Sequence, residues 1–171
     1  MKTTRARLAL AGIVLTVAAA LSGCSIVDQL LPSSQPVRDA ETGEVTEQND
    51  NADVFSIQVG DCLNTADLGA AEEISSVPIV PCSEPHDDEV YHAYDLAEGE
   101  YPGEEAIMAD ADAVCQAEFA NFVGLPYDQS TLLYWPIYPT EGSWSDGDRE
   151  VLCAVYEDGT KLTGSVAGAA R

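Results

Sequence analysis

The chain has 171 residues and a mass of 18.1 kDa, which fits one folded domain with appended segments. Its hydrophobic fraction of 46% predicts a packed core. Asp and Glu total 30 against 7 Lys and Arg, a formal net charge of −23. This charge excludes a nucleic-acid-binding protein, because neutralising phosphates requires a basic patch that so few cations cannot build.

Residues 1–23 have the pattern of a lipoprotein signal peptide. Three cations precede an apolar run at residues 8–21, which is shorter than the roughly 20 residues of a membrane-spanning helix. The segment LSGC at residues 21–24 resembles the bacterial lipobox, which implies cleavage before Cys24 and a diacylglyceryl group on its thiol. We therefore expect Cys24 to anchor the protein to the extracytoplasmic face of the cell membrane. The alternatives are a plain signal peptide with an incidental cysteine and an uncleaved short anchor.

Residues 24–54 are predicted to be the lipidated cysteine and a disordered acidic tether. They are rich in Ser, Gln, Asn and acids and poor in aromatic residues, a composition typical of solvated linkers. A flexible tether of about 30 residues has a root-mean-square reach of roughly 30 Å. Cleavage before Cys24 leaves 4 cations and 30 acids, a net charge of −26. The lipid, rather than this acidic surface, would then attach the protein to the membrane.

The folded domain is expected at residues 55–166, followed by a C-terminal tail at 167–171. Alternating or continuous apolar runs predict its strands. The predicted strands are 55–59, 77–80, 89–96, 131–138 and 150–156. Pro78 makes the second of these an edge strand, because proline cannot donate to a sheet ladder. The pair Asp158-Gly159 predicts a hairpin turn before residues 161–163.

One helix is predicted over residues 103–123. Apolar residues spaced by four give it one buried stripe, and Gly124 is a suitable residue to end it. The stripe comprises Ile107, Ala111, Cys115 and Phe119. The predicted fold class is therefore α+β, a small antiparallel sheet packed by one main helix.

The cysteine count supports an oxidising compartment. If Cys24 carries lipid, an even set of four remains. These four, Cys62, Cys82, Cys115 and Cys153, allow three pairings, and the sequence alone does not choose among them. We favour Cys62–Cys82 and Cys115–Cys153, since each closes a moderate loop that would contribute about 3–4 kcal/mol. The lack of a CxxC pair weighs against a structural zinc site.

Both histidines lie in the segment PHDDEVYH at residues 85–92. His86 and Asp87 could bind a metal or form an acid/base pair. If the segment is a strand, however, His86 and His92 lie about 20 Å apart and cannot hold one ion. A structural role for His86 beside the Cys82 bridge is the leading interpretation. No GxSxG or phosphate-binding glycine motif is present.

An aromatic group between the predicted helix and the last strand is a candidate recognition surface. Tyr134, Trp135 and Trp144 are its principal members. Amphipathic rings of this kind are common at binding surfaces. They can also form a lid over the core, which is the favoured interpretation, although the sequence leaves both open.

Several motifs together resemble the actinobacterial septum-formation domain family. They are VGDCLN at 59–64, VPCSEPHDDEVY at 80–91, GEEA at 103–106, YPTE at 138–141, DREVLC at 148–153 and LTGS at 162–165. The resemblance covers roughly residues 58–166, and the segment PCSEPHDDEVY is its most specific part. It implies an extracytoplasmic, membrane-tethered module linked to the division septum, and it supplies no catalytic residues.

The sequence therefore predicts a non-enzymatic lipoprotein whose domain binds an envelope protein or a cell-wall component. No cofactor and no nucleic acid are expected. One alternative is a metal-dependent or acid/base enzyme that acts on cell-wall material through His86 and neighbouring carboxylates. Another is an acidic domain that responds to divalent cations.

Overall fold

The computed structural model describes residues 34–66, 68 and 74–171. In these residues an antiparallel sheet of six strands has the order β1-β3-β2-β4-β6-β5. The strands are β1 (Asn49–Asp53), β2 (Cys62–Leu63), β3 (Ser76–Val80), β4 (Asp88–Asp95), β5 (Leu133–Ile137) and β6 (Glu150–Tyr156). The helices are α1 (Glu104–Val123) and α2 (Glu141–Ser145). The fold is α+β as predicted, with the sheet predominating.

Helix α1 forms where the sequence places it. The four predicted stripe residues and Val123 are all buried. Gly124 ends the helix in the left-handed conformation, with φ of 83° and its N–H donated to the Ala120 carbonyl over 3.0 Å. No helix in the described residues is both long and apolar enough to cross a bilayer.

The sheet has an apolar core on each face, because successive side chains along a strand point to opposite sides. Along β4 and β6, Tyr91 and Cys153 join the core beneath α1, which contains Phe119. Their neighbours Val90 and Leu152 join the second core, on the face away from α1. That second core is closed by the N-terminal part of the described chain.

Residues 34–53 are folded, so the prediction of a tether is wrong for this part of 24–54. Strand β1 pairs with β3, and Val45 and Ala52 are buried in the second core. The Arg38 guanidinium donates to both oxygens of the buried Asp61 carboxylate, at 2.5 and 2.7 Å. It also donates to the Ser56 carbonyl at 2.9 Å. A polar segment can therefore fold here, because a bidentate ion pair and two apolar side chains hold it to the sheet.

The signal peptide, Cys24 and the rest of the predicted tether to residue 33 lie outside the described residues. At the other end, residues 167–171 are not a separate tail. The Gly168 and Ala170 amides donate to the last carbonyls of α1, on Phe122 and Val123, at 2.7 and 2.8 Å.

Two strand predictions are also wrong. Residues 55–59 form no strand, since the Asp53 carboxylate accepts the Phe55 amide and starts a 3₁₀ turn at Val54–Ser56. The predicted edge strand at 77–80 is interior, because β1 lies beyond it. The register of β1 shifts between Asn49 and Ala52, opposite Pro78, which has no amide to donate there.

The remaining elements match or extend the prediction. Strands β4, β5 and β6 lie within one or two residues of the predicted ranges, and β5 is an edge strand that accommodates Pro136. Strand β2 and helix α2 were not predicted. Beyond the turn at 158–159, Leu162 pairs with His86 in an isolated bridge instead of extending a hairpin.

Both disulfides have the favoured pairing. Cys62–Cys82 joins β2 to the residues after β3, with 5.2 Å between the Cα atoms. Cys115–Cys153 joins α1 to β6, with 5.5 Å between the Cα atoms. The second bridge fixes the helix to β6, the strand next to the edge strand β5.

We predict that Arg38→Met lowers the free energy of unfolding by about 3–5 kcal/mol, because it leaves the Asp61 carboxylate buried without its charge partner. Arg171→Met is the control. It breaks a half-exposed ion pair with Glu157 and should cost about 1 kcal/mol or less. Denaturant unfolding measures both. Equal effects of the two substitutions would contradict the structural role of the N-terminal segment.

Candidate functional site

The segment PHDDEVY joins β4 to three other parts of the chain. His86 exchanges two backbone hydrogen bonds with Leu162, at 3.0 and 2.8 Å. The Asp87 carboxylate accepts from Lys161 Nζ at 2.7 Å and from the Ala66 amide at 3.0 Å. Four consecutive residues, 86–89, each have such long-range contacts. The segment therefore has a structural role, because it connects β4 to distant parts of the chain.

Glu89 lies on the α1 side of β4 and is fully buried. Its carboxylate accepts from the Ser165 hydroxyl at 2.6 Å and from the Val166 amide at 2.7 Å. Val166 itself is part of the core beneath α1. Glu89 thus fastens the C-terminal segment to the sheet, which is a structural role.

His86 has a fully buried side chain. Its Nδ1 lies 2.8 Å from the Glu84 carbonyl, and since a carbonyl can only accept, Nδ1 carries the proton. Nε2 is buried and has no hydrogen-bond partner among the described residues. The imidazole therefore has no surface that could meet a polymer substrate in this conformation.

One group of metal-ligand atoms is close together in the described residues. Cys62 Sγ, Cys82 Sγ and a Glu89 carboxylate oxygen all lie within 4.8 Å of one another. The two sulfurs are bonded to each other, so neither is a thiolate, the form that binds metals. The group is explained by the disulfide.

Asp88 points to the other face of the sheet and is 3% exposed. One carboxylate oxygen accepts from Trp135 Nε1 at 2.7 Å, and the other accepts from the Thr65 hydroxyl. Burial raises the pKa of Asp88, although both hydrogen bonds favour its charged form and oppose that shift.

The bond between Trp135 and Asp88 spans strand β6, since Trp135 is on β5 and Asp88 on β4. Neighbouring strands are about 4.8 Å apart. Trp135 pairs with Ala154 on β6, and this methyl side chain leaves room for an indole ring to cross. The small residue on β6 thus allows the indole to reach the buried carboxylate.

These residues border an open cleft of about 400 Å³ on the face of the sheet away from α1. It lies between the chain after β2, the start of β4 and the end of β6. Its lining includes Thr65, Asp87, Asp88, Trp135, Tyr156 and Lys161. The cleft therefore combines two aromatic rings with hydroxyl, carboxylate and ammonium groups.

The charges at the cleft are largely paired. Lys161 Nζ contacts Asp87, and an Arg171 guanidinium nitrogen lies 3.3 Å from Glu157, which also lines the cleft. Burial alone would raise the pKa of Asp87, but the bonds from Lys161 and the Ala66 amide outweigh it and lower that pKa. Ionised Asp87 and Lys161 hold the rim together at neutral pH.

Of the five predicted binding residues, the structure brings only Asp87 and Trp135 into the cleft. His86 is buried and does not line it. Tyr134 points to the α1 side, where its hydroxyl donates to Asp112 at 2.7 Å. Trp144 is buried on α2 beneath the Arg149 guanidinium, 3.7 Å from the ring centroid.

Sequence reasoning missed Asp88, Tyr156 and Lys161 as members of one site. They come from β4, the end of β6 and the segment after the next turn. The only local signal was the period-two alternation along β6, which places Tyr156 and Ala154 on one face of the sheet and Cys153 on the other. Nothing local to the sequence links Trp135 to a carboxylate 47 residues earlier.

A family model described as septum formation matches residues 29–153, a range that contains β1 to β5 and most of β6. It begins well before the range of 58–166 inferred from motifs, in accord with the folded segment at 34–53. No curated protein and no solved structure matches the chain.

The raised pKa of Asp88 predicts a pH-dependent signal from Trp135. Protonation replaces the charged acceptor of the indole N–H, so tryptophan fluorescence should change with a midpoint above the ordinary aspartate pKa of about 3.9. Because the folded state binds this proton more tightly than the unfolded state, ionisation of Asp88 lowers stability as the pH rises through that interval. Asp88→Asn should abolish the transition. A transition of the same amplitude in Asp88→Asn would refute the assignment.

His86→Ala should lower the free energy of unfolding by about 2 kcal/mol or more, since it empties a fully buried site. His92→Ala, at a half-buried position on β4, is the control and should cost less. Thermal unfolding measures both. An unchanged midpoint for His86→Ala, together with lost cellular function, would instead support a catalytic histidine.

Proposed function

The chain belongs to the septum-formation family, and from this membership we propose that it is a lipid-anchored, extracytoplasmic binding module that acts during formation of the division septum. Its folded domain would recognise a component of the cell envelope. The recognition surface would be the cleft beside Trp135, which forms next to the most specific motif of the sequence.

Two observations support an extracytoplasmic location. Residues 1–24 resemble a lipoprotein signal peptide and lipobox, and the other four cysteines form two disulfides. Structural disulfides persist in oxidising compartments and are rare in the cytoplasm. The cysteine parity and the proposed lipid on Cys24 therefore agree.

The folded segment at 34–53 changes the geometry expected of the anchor. Nine residues separate Cys24 from the first described residue, Ser34. A flexible chain of that length has a root-mean-square reach of roughly 16 Å, against roughly 30 Å for one of 30 residues. The domain would therefore stay near the membrane surface, closer than a flexible tether of 30 residues would hold it.

The single observation that carries a binding role is the preformed cleft. The Trp135 ring is already oriented by the buried Asp88 carboxylate, so a ligand would meet a fixed surface. The enzymatic alternative relied on His86, whose imidazole is fully buried. The geometry accordingly favours recognition by the cleft over acid/base chemistry by His86.

We predict that cells lacking this protein form fewer or misplaced septa and that Trp135→Ala does not restore them. Trp135→Ala removes the largest aromatic surface of the cleft. Phe55→Ser is the matched control, because Phe55 is a well-exposed aromatic residue that does not line the cleft. It should restore septation like the natural sequence. Fluorescence microscopy of septa in complemented strains, with immunoblots of protein level, measures the outcome.

Cys24→Ser should release the protein from the membrane and fail to restore septation in the same strain. Normal septation without the protein, or full restoration by Trp135→Ala, would overturn the proposed function.

A further inference from the structure

We propose that the cleft beside Trp135 binds a neutral saccharide ring, the kind of unit from which wall glycans are built. This inference rests on the proposed function and names the ligand class of the same site. It follows from what Trp135 can still offer a ligand, from the groups around it and from the local charge.

The Trp135 indole has no polar group left for a ligand. Its only donor, the Nε1–H, is given to the Asp88 carboxylate at 2.7 Å, and an indole has no acceptor. The ring is half-buried and lines the cleft. A ligand therefore meets an apolar, π-electron surface held at a fixed angle.

The surroundings of that ring are polar. Tyr156 lies on the same sheet face, opposite Asp88 in the β4–β6 register. Thr65, Thr160 and Lys161 add hydroxyl and ammonium groups to the lining. Thr65 and Lys161 already bond to Asp88 and Asp87, but a purely aromatic or aliphatic ligand would withdraw the Tyr156 and Thr160 hydroxyls from water, at a cost in affinity.

A pyranose ring meets both requirements. Its C–H groups form an apolar face that can stack on an aromatic ring, and its hydroxyls form a polar rim that can bond to the surrounding side chains. Ligand sites of about 300–1,000 Å³ are usual for small molecules. The cleft, at about 400 Å³, lies at the lower end of that range, which suits a short piece of a glycan.

The charge distribution favours a neutral ligand. The described residues carry four cations, and two of them, Lys161 and Arg171, pair with Asp87 and Glu157 in the cleft lining. A cationic ligand would be attracted more strongly to other parts of this acidic chain, where fewer of the carboxylates are paired with a cation. An anionic ligand would be repelled by the net charge as it approached.

Asp88 is a positioning residue in this proposal. It is 3% exposed, so its part is to hold the Trp135 ring rather than to touch the saccharide. Fixing the ring before binding removes part of the entropy cost of ordering it. Asp88→Asn keeps the shape of this side chain and weakens the hold.

The test is a titration of the full-length protein in detergent with N,N′,N″-triacetylchitotriose, a neutral trisaccharide that does not absorb at tryptophan wavelengths. We expect a saturable change in tryptophan fluorescence, matched by binding heat in calorimetry. Trp135→Ala should bind at least tenfold more weakly, and Phe55→Ser should bind like the natural sequence. Asp88→Asn should bind several-fold more weakly and should also lose the pH-dependent Trp135 signal.

Salt and a cationic probe separate the ligand classes. Binding of the neutral trisaccharide should be the same in 50 mM and 500 mM salt, whereas lysine amide, the cationic probe, should not bind. Absence of saturable trisaccharide binding, equal binding by Trp135→Ala, or tighter and salt-sensitive binding of lysine amide would overturn the proposal.

The two levels of inference fail separately. If the trisaccharide binds but Trp135→Ala restores septation, the ligand class stands and the proposed function is wrong. If Trp135→Ala abolishes septation while the trisaccharide does not bind, the cleft is functional and the saccharide assignment is wrong.

Discussion

The hydrogen bond from Trp135 to the buried Asp88 carboxylate is the interaction on which the site depends. It joins the edge strand β5 to β4 across β6 and leaves the indole facing the cleft. A carboxylate withdrawn from water is costly unless it is hydrogen-bonded. Here Trp135 and Thr65 each occupy one oxygen. If either donor were lost, one oxygen of the poorly solvated carboxylate would have no hydrogen bond. The Trp135 ring and the Asp88 carboxylate therefore hold each other in place.

Elsewhere in the molecule, carboxylates also accept hydrogen bonds from neutral side chains, because acids far outnumber cations. The described residues have four cations, all in ion pairs, so most carboxylates need other donors. Three tyrosine hydroxyls supply them along α1, in the pairs Tyr94–Asp110, Tyr134–Asp112 and Tyr138–Glu104. Burial, followed by these carboxylates, raises the pKa of each tyrosine. The hydroxyls thus remain protonated donors at neutral pH, where the carboxylates are charged, and they hold the helix in place without lysine or arginine.

The sequence was sufficient for elements fixed by local pattern and insufficient for those fixed by distant partners. Apolar residues four apart predicted α1, and period-two alternation predicted β6. Strand β1 was missed because its residues, NDNAD, carry almost no apolar signal, and the Arg38–Asp61 pair that secures its segment spans 23 positions. For the same reason, the sequence identified only some of the residues that line the cleft. Trp135 and Asp87 were recognisable by type, but the buried carboxylate that orients the ring is set by the strand order β4-β6-β5.

The specific motif PHDDEVY thus has one structural role and one proposed role: His86 and Glu89 hold the C-terminal segment, and Asp88 orients the Trp135 ring of the proposed binding cleft. The most direct test of the second role is a nuclear Overhauser spectrum of isotope-labelled protein with triacetylchitotriose. The predicted result is a set of contacts between saccharide C–H protons and the Trp135 ring, while its indole N–H stays protected from exchange with water. An indole N–H that exchanges like that of an exposed tryptophan, or saccharide contacts confined to other residues, would contradict it.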